Sequence, residues 1–160
     1  MYARIALALI CLAALVASAP ESAPPGAAGI PIAVVPFGVL HGGAEPSVDV
    51  AEAIGADLAA TGRFAVVSAS DLPAQPQALS EIHFDEWRGA GIDYLVAGIV
   101  VVVHDGGHEV EFRLVDTREE APILGFQMAS APDALRQTAT RIAKRIEERL
   151  AGGPPASGPT

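Results

Sequence analysis

The stretch Ile92-Asp93-Tyr94-Leu95-Val96-Ala97-Gly98-Ile99-Val100-Val101-Val102-Val103 is an almost unbroken apolar run, dense in Val and Ile. Residues of this kind suit a pleated backbone, and a run without polar alternation has no side to give to water. It predicts a central strand covered on both faces. Downstream, His104-Asp105-Gly106-Gly107-His108 carries Asp-Gly and Gly-Gly turn signals,. Val110, Phe112 and Leu114 then alternate with Glu109, Glu111 and Arg113, which predicts a strand with one buried and one charged face, and a third strand follows in meander fashion,.

Upstream of the central run, Ile30 to Phe37 is a short β-branched stretch closed by Pro36, which fits a buried strand ending at a loop,. Pro46 to Thr61 has helical spacing, with Val50, Ala51, Ile54 and Leu58 on one face and Gly62 as the stop,. Phe64-Ala65-Val66-Val67 completes a βαβ unit, whose two strands should be parallel and whose crossover should be right-handed,. After the Pro-rich loop Asp71 to Pro76, Ile82 to Gly89 reads as a short helix in which Ile82, Phe84 and Trp87 need one buried face,.

At the far end, Ser130 with Asp133 resembles a capping box, Pro132 falls in the first turn, and Gly152-Gly153 close a helix,. Its buried stripe is Leu135, Ala139, Ile142, Ile146 and Leu150. The order β-α-β-α-β-β-β-α gives an α+β (mixed α/β) domain on a mixed sheet of about five strands, without an internal repeat.

The ends read differently. Met1-Tyr2-Ala3-Arg4 followed by the apolar Ile5 to Val16 is an n-region and an h-region,. Twelve residues of helix reach about 18 Å against a hydrocarbon core of about 30 Å, so a cleaved signal peptide over residues 1–18 is preferred to an anchor, with no stable membrane insertion afterwards. Cys11 lies inside the h-region behind Ile10, where a lipoprotein site needs a small residue,. Residues 19–29 and 153–160 are rich in Pro, Gly and Ala and predict a flexible arm and a disordered tail,. The folded part is then residues 30–152.

Removing 18 of the 160 residues leaves 142, enough for one domain with a core,. The remainder has no Cys, which excludes thiol chemistry and disulfide scaffolds,. It holds nine basic residues against nineteen acidic ones, a formal charge of −10, so nucleic acid is an unsuitable partner,. Five of the nine, Arg136, Arg141, Lys144, Arg145 and Arg149, fall in the last helix. They complement its dipole, and Arg141, Lys144, Arg145 and Arg149 are candidate contacts for an acidic partner.

Catalytic signals are sparse. His104 and His108 are the only candidate metal ligands, and two His residues flanking a turn are brought together by strand pairing alone, so the turn reading is preferred and no metal or cofactor is expected,. His41-Gly42-Gly43 lacks the lysine and spacing of a phosphate loop,. Asp85-Glu86 and Glu119-Glu120 suit solvated faces,. Gly-x-Ser-x-Gly and His-Glu-x-x-His are absent, and no enzymatic activity is expected,.

One ordered set of short motifs carries a resemblance. Ile32-Ala33-Val34-Val35-Pro36-Phe37, Ala56-Asp57-Leu58, Thr61-Gly62-Arg63-Phe64 and Asp71-Leu72-Pro73 resemble the amino-terminal domain of the TolB family. Trp87-Arg88, Gly91 to Gly98, Val110 to Asp116, Leu135-Arg136, Ile142-Ala143 and Glu148-Arg149-Leu150 continue it in order. The resemblance implies a periplasmic protein of the Tol–Pal envelope system with a sheet domain like the anticodon-binding domains of some synthetases. It also implies envelope partners such as TolA, which the family's extreme amino terminus engages, or another Tol–Pal component. Pal is bound by a carboxy-terminal β-propeller, which this sequence does not contain, so Pal binding is not expected. The expectation is a non-enzymatic interaction module in envelope integrity or division. Two alternatives are a soluble relative of envelope-assembly or peptidoglycan-synthase activator lipoproteins, and a small metal-binding protein centred on His104 and His108.

Overall fold

β1 (Ile30–Val34) lies between β3 (Phe64–Val67) and β4 (Tyr94–Val102), parallel to both. The structure, a computed structural model, describes residues 29–40, 46–76, 78–103 and 106–152. The expectations for the signal peptide, for residues 19–28 of the arm, for the tail, for His41 to Gly43 and for His104 lie outside those residues. β5 (His108–Asp116) and β6 (Ala121–Ser130) extend the sheet antiparallel, giving the order β3-β1-β4-β5-β6. The apolar run quoted first is the central strand.

A sixth strand, β2 (Gly38–Leu40), also pairs parallel with β4, so the sheet has six strands where about five were expected. β2 is the resumption of β1 past a proline. Val35 still donates to the Val96 carbonyl at 2.9 Å, but Pro36 has no N–H to give, and the ladder resumes only at Gly38 opposite Ile99,. Four steps from Val34 to Gly38 oppose three from Val96 to Ile99, so the strand bulges there,.

Alternation splits the core into two layers. On one face Ile32, Val34, Val96, Val100, Val110, Phe112 and Leu114 pack under α1 (Val50–Ala60) and α3 (Leu135–Ala151). On the other, Ala33, Val35, Leu95 and Val115 meet Ile82, Ile92 and Trp87, the last from α2 (Phe84–Gly89). Trp87 is fully buried, as its spacing predicts. The second layer is smaller: α2 has six residues and covers only the first half of β4. Ile99, Val101 and Val103 are half-buried, opposite Glu111 and Glu109 on β5 and Leu40 on β2. The central run is therefore covered on both faces only at its start.

The helices begin later than the sequence suggests. In α1 the Asp49 carboxylate accepts from the Glu52 N–H at 3.0 Å, so Pro46 to Val48 stay outside the helix,. Asp49→Ala is expected to lower stability by about 1 kcal/mol, checked by urea unfolding with unchanged slope. α3 starts at Leu135 and not near Ser130, because Ser130 is the last residue of β6 and its hydroxyl accepts from the buried Thr138 at 3.0 Å. The stripe of α3 is otherwise as expected, with Leu135, Ala139, Ile142 and Ile146 buried and Leu150 half-buried.

Polar ties hold the helices to each other and to the sheet. Arg136 donates to the Ala53 carbonyl at 3.0 Å and pairs with Asp57, which also accepts from Thr140 at 2.8 Å. Arg88 joins α2 to the β5–β6 turn through Glu120 and the Thr117 carbonyl. Its hydrogen bonds to Glu120, and then to Asp85, hold the guanidinium above its ordinary range,.

Candidate functional site

The four cations singled out by sequence lie on α3, and the structure shows what they face. Thr138 touches Ser130 near the start of α3, and Arg149 near its end donates from Nε to the Ile123 carbonyl at 3.1 Å. α3 therefore runs antiparallel to β6, directly along it. Among the described residues β6 is at the sheet edge, and the order of strands gives it a partner on one side only.

Between those two contacts the basic residues gather. Arg141, Lys144 and Arg145 line one shallow depression with Glu148 and Met128, of about 360 Å³. Arg145 lies over the Phe126 ring, 5.6 Å from its centroid, and Phe126 in turn tilts against the core residue Phe112 with centroids 6.3 Å apart. Phe126 is 42% exposed, an unusual state for a large aromatic side chain,. Arg149, the fourth, is committed to the edge itself. The register shifts between Leu114 and Val115, leaving Ile123 without a partner on β5, and its carbonyl takes the Arg149 guanidinium,.

The electrostatics separate these residues from the other cations. Arg63 pairs with Glu147, Arg88 with Asp85 and Glu120, Arg113 with Glu111, Arg118 with Asp93, and Arg136 with Asp57. Among the described residues Arg141 donates to the Gln137 amide oxygen, at 2.9 Å, and Arg145 overlies Phe126, and neither has a carboxylate partner there. Lys144 stands 3.9 Å from Glu148, at the limit of an ion pair. In a chain with 19 acidic and 10 basic residues, unpaired arginines are against the odds.

Of the two candidate metal ligands only His108 lies among the described residues, where no group of three His, Cys, Asp or Glu side chains converges. His108 starts β5 opposite Val102 and Ser130 and is 6% exposed, with its Nδ1 buried and without a partner among the described residues. The paired carboxylates behave as surface groups: Asp85 and Glu120 hold Arg88, and Glu86 and Glu119 are exposed. Burial, with Asp116 and Asp93 beside it, pushes the Tyr94 phenol up and keeps it neutral,. No described helix is long and apolar enough to cross a membrane.

Sequence reasoning found the cations but not the strand they border. The alternation Leu124, Phe126, Met128 in β6 was the available signal, since it places a second aromatic opposite Phe112 in the last strand of the meander.

Residues 23–123 match the model of the TolB amino-terminal domain. The Tol-Pal system protein TolB of Nitrosococcus oceani is 39% identical over 125 residues, which cover 78% of this chain and 28% of that protein. That of Xanthomonas oryzae pv. oryzae is 32% identical over 126 residues, 79% of this chain and 29% of that protein. This chain thus spans less than a third of the length of the curated relatives it matches. The crystal structure of TolB from Acinetobacter baumannii superimposes with a TM-score of 0.65 at 28% identity, covering 79% of this chain and 29% of that one. The C-terminal domain of LpoB from Salmonella enterica shares the fold, with a TM-score of 0.54 at 16% identity over 68% of this chain and 87% of that domain. By the matched model and by identity over most of its length, the chain belongs to the TolB amino-terminal domain family.

Proposed function

We propose that this chain is a non-enzymatic protein-interaction module of the Tol–Pal envelope system, delivered to the periplasm by a signal peptide over residues 1–18 and acting in envelope integrity or division. The observation that carries the reading is membership in the TolB amino-terminal domain family. The surface agrees with it. Three cations, an exposed phenylalanine and a strand edge lie together, which suits the binding of a partner protein,. TolA or another Tol–Pal component is the partner this reading names.

The test is in-cell crosslinking followed by affinity purification of the tagged full chain from envelope extract. Recovery of TolA or a second Tol–Pal component is the expected result. Purification that brings down no member of the system, with the chain folded and exported, overturns the assignment.

A further inference from the structure

We propose that the β6 edge and the arginine row of α3 form a docking site for an extended acidic segment of a partner protein, which adds to β6 as a further strand and sets its carboxylates against Arg141 and Arg145. This rests on the reading of the chain as an interaction module and gives that module an address.

The first observation is the edge. Ahead of the edge's midpoint, Pro122 and the bulge at Ile123 disturb β6, and Arg149 occupies the freed carbonyl. Those are devices that close a strand edge to further pairing. Beyond them the register with β5 is regular from Leu124 to Ser130, and Gly125, Phe126, Gln127 and Ala129 are exposed. Among the described residues one half of the edge is blocked and the other is left open.

The second observation is the charge beside the open half. Arg141 and Arg145 are exposed, carry no ion pair among the described residues, and stand in a chain whose acids outnumber its bases by 19 to 10. Two neighbouring arginines repel each other, and an outside carboxylate relieves that repulsion while meeting planar donors suited to it.

Spacing joins the two observations. Arg141 and Arg145, with Arg149 continuing the row, recur every four residues, so they climb the helix axis by about 6 Å per step. Alternate residues of a strand recur every 6.4–6.8 Å or so and point to the same face. A strand laid beside β6, along the helix that runs parallel to the same edge, therefore presents one alternate residue per arginine. Acids on that face meet the row. On the other face Gln127 already donates to Glu109 at 3.0 Å, so carboxylates there would meet a like charge. The segment that fits is acidic at every second position and neutral between.

The probe is a synthetic nine-residue peptide alternating Glu and Thr, titrated into the full chain and followed by amide NMR and hydrogen exchange. Slower exchange confined to Gly125–Ala129, with shifts at Arg141 and Arg145, is the expected result. The Gln/Thr counterpart should bind about tenfold more weakly or worse, and so should the original peptide to R141E/R145E. An acidic peptide of equal charge interrupted by proline should lose the exchange protection, since it lacks N–H groups for the ladder. Both arginines are exposed, and circular dichroism of R141E/R145E should match the parent.

Equal binding of the Glu peptide by R141E/R145E, or protection elsewhere, overturns the site. So does sedimentation showing a dimer that R141E/R145E dissolves, because the occupant is then a second copy. The general reading fails separately: peptide binding with no Tol–Pal component recovered leaves the site and removes the system, whereas recovery unaffected by R141E/R145E leaves the system and removes the site.

Discussion

Trp87→Ala is expected to lower the unfolding free energy by about 3–5 kcal/mol, a large share of the 5–15 kcal/mol that holds a domain of this size together. Trp87 is fully buried and is the largest side chain of the smaller core layer, where it meets Ala33, Val35, Ile82, Ile92, Leu95 and Val115. Among the described residues a six-residue helix and the loop before it, through Leu72, Ala74 and Leu79, cover that face, so little else can collapse into the space an alanine leaves,. Its indole N–H is buried without a hydrogen-bond partner among the described residues, an arrangement that detracts from the native state,. Trp87→Phe should consequently lose much less than Trp87→Ala, because it removes the orphan donor along with some volume. Urea unfolding of the three proteins gives the comparison, and equal losses for Phe and Ala would show that the pocket demands the full indole shape.

Trp87 also illustrates what was legible. Its burial followed from the spacing of Ile82, Phe84 and Trp87, since three large apolar groups on so short a segment have one place to go,. The strand order was similarly readable, because β-branched runs, the Gly-rich turn before His108 and the alternation of Val110, Phe112 and Leu114 all favour the same pairing,. What local sequence could not show was how far each layer extends. The run from Ile92 to Val103 is apolar throughout, yet the cover over Ile99 and Val101 depends on the length of α2, a property of another segment. Ser130 misled for a related reason: its hydroxyl has the chemistry of a helix cap, and only the length of β6 reserves it for Thr138.

The site was half legible on the same grounds. Five basic residues in one segment are visible in any reading of the chain. Which of them are neutralised is not, because the partner of Arg136 is Asp57, 79 residues away in sequence. Only the packing of α1 on α3 removes Arg136 from the set and leaves Arg141 and Arg145 uncompensated.

Gly98→Ala is expected to destabilise by about 3 kcal/mol, at the upper end of what overpacking does, even though one methyl is added. A Cβ at Gly98 would lie 2.4 Å from the Glu111 carbonyl oxygen and 2.6 Å from the Phe37 ring. The oxygen belongs to β5, paired with β4 over nine residues, so it cannot withdraw without disturbing the centre of the sheet. Phe37 is fixed by the bulge at Pro36, which brings its ring across β4, so neither neighbour is free to yield. Gly55→Ala is the matched control. There the added carbon would meet only Val66 Cγ1 at 3.6 Å, an ordinary contact, within α1. Alanine in a helix interior is favoured over glycine by about 0.8–1.0 kcal/mol, so this change should stabilise. Opposite signs in thermal unfolding are thus expected for the same substitution. A neutral Gly98→Ala would mean that Phe37 can leave β4, and that the break between β1 and β2 is softer than its packing indicates.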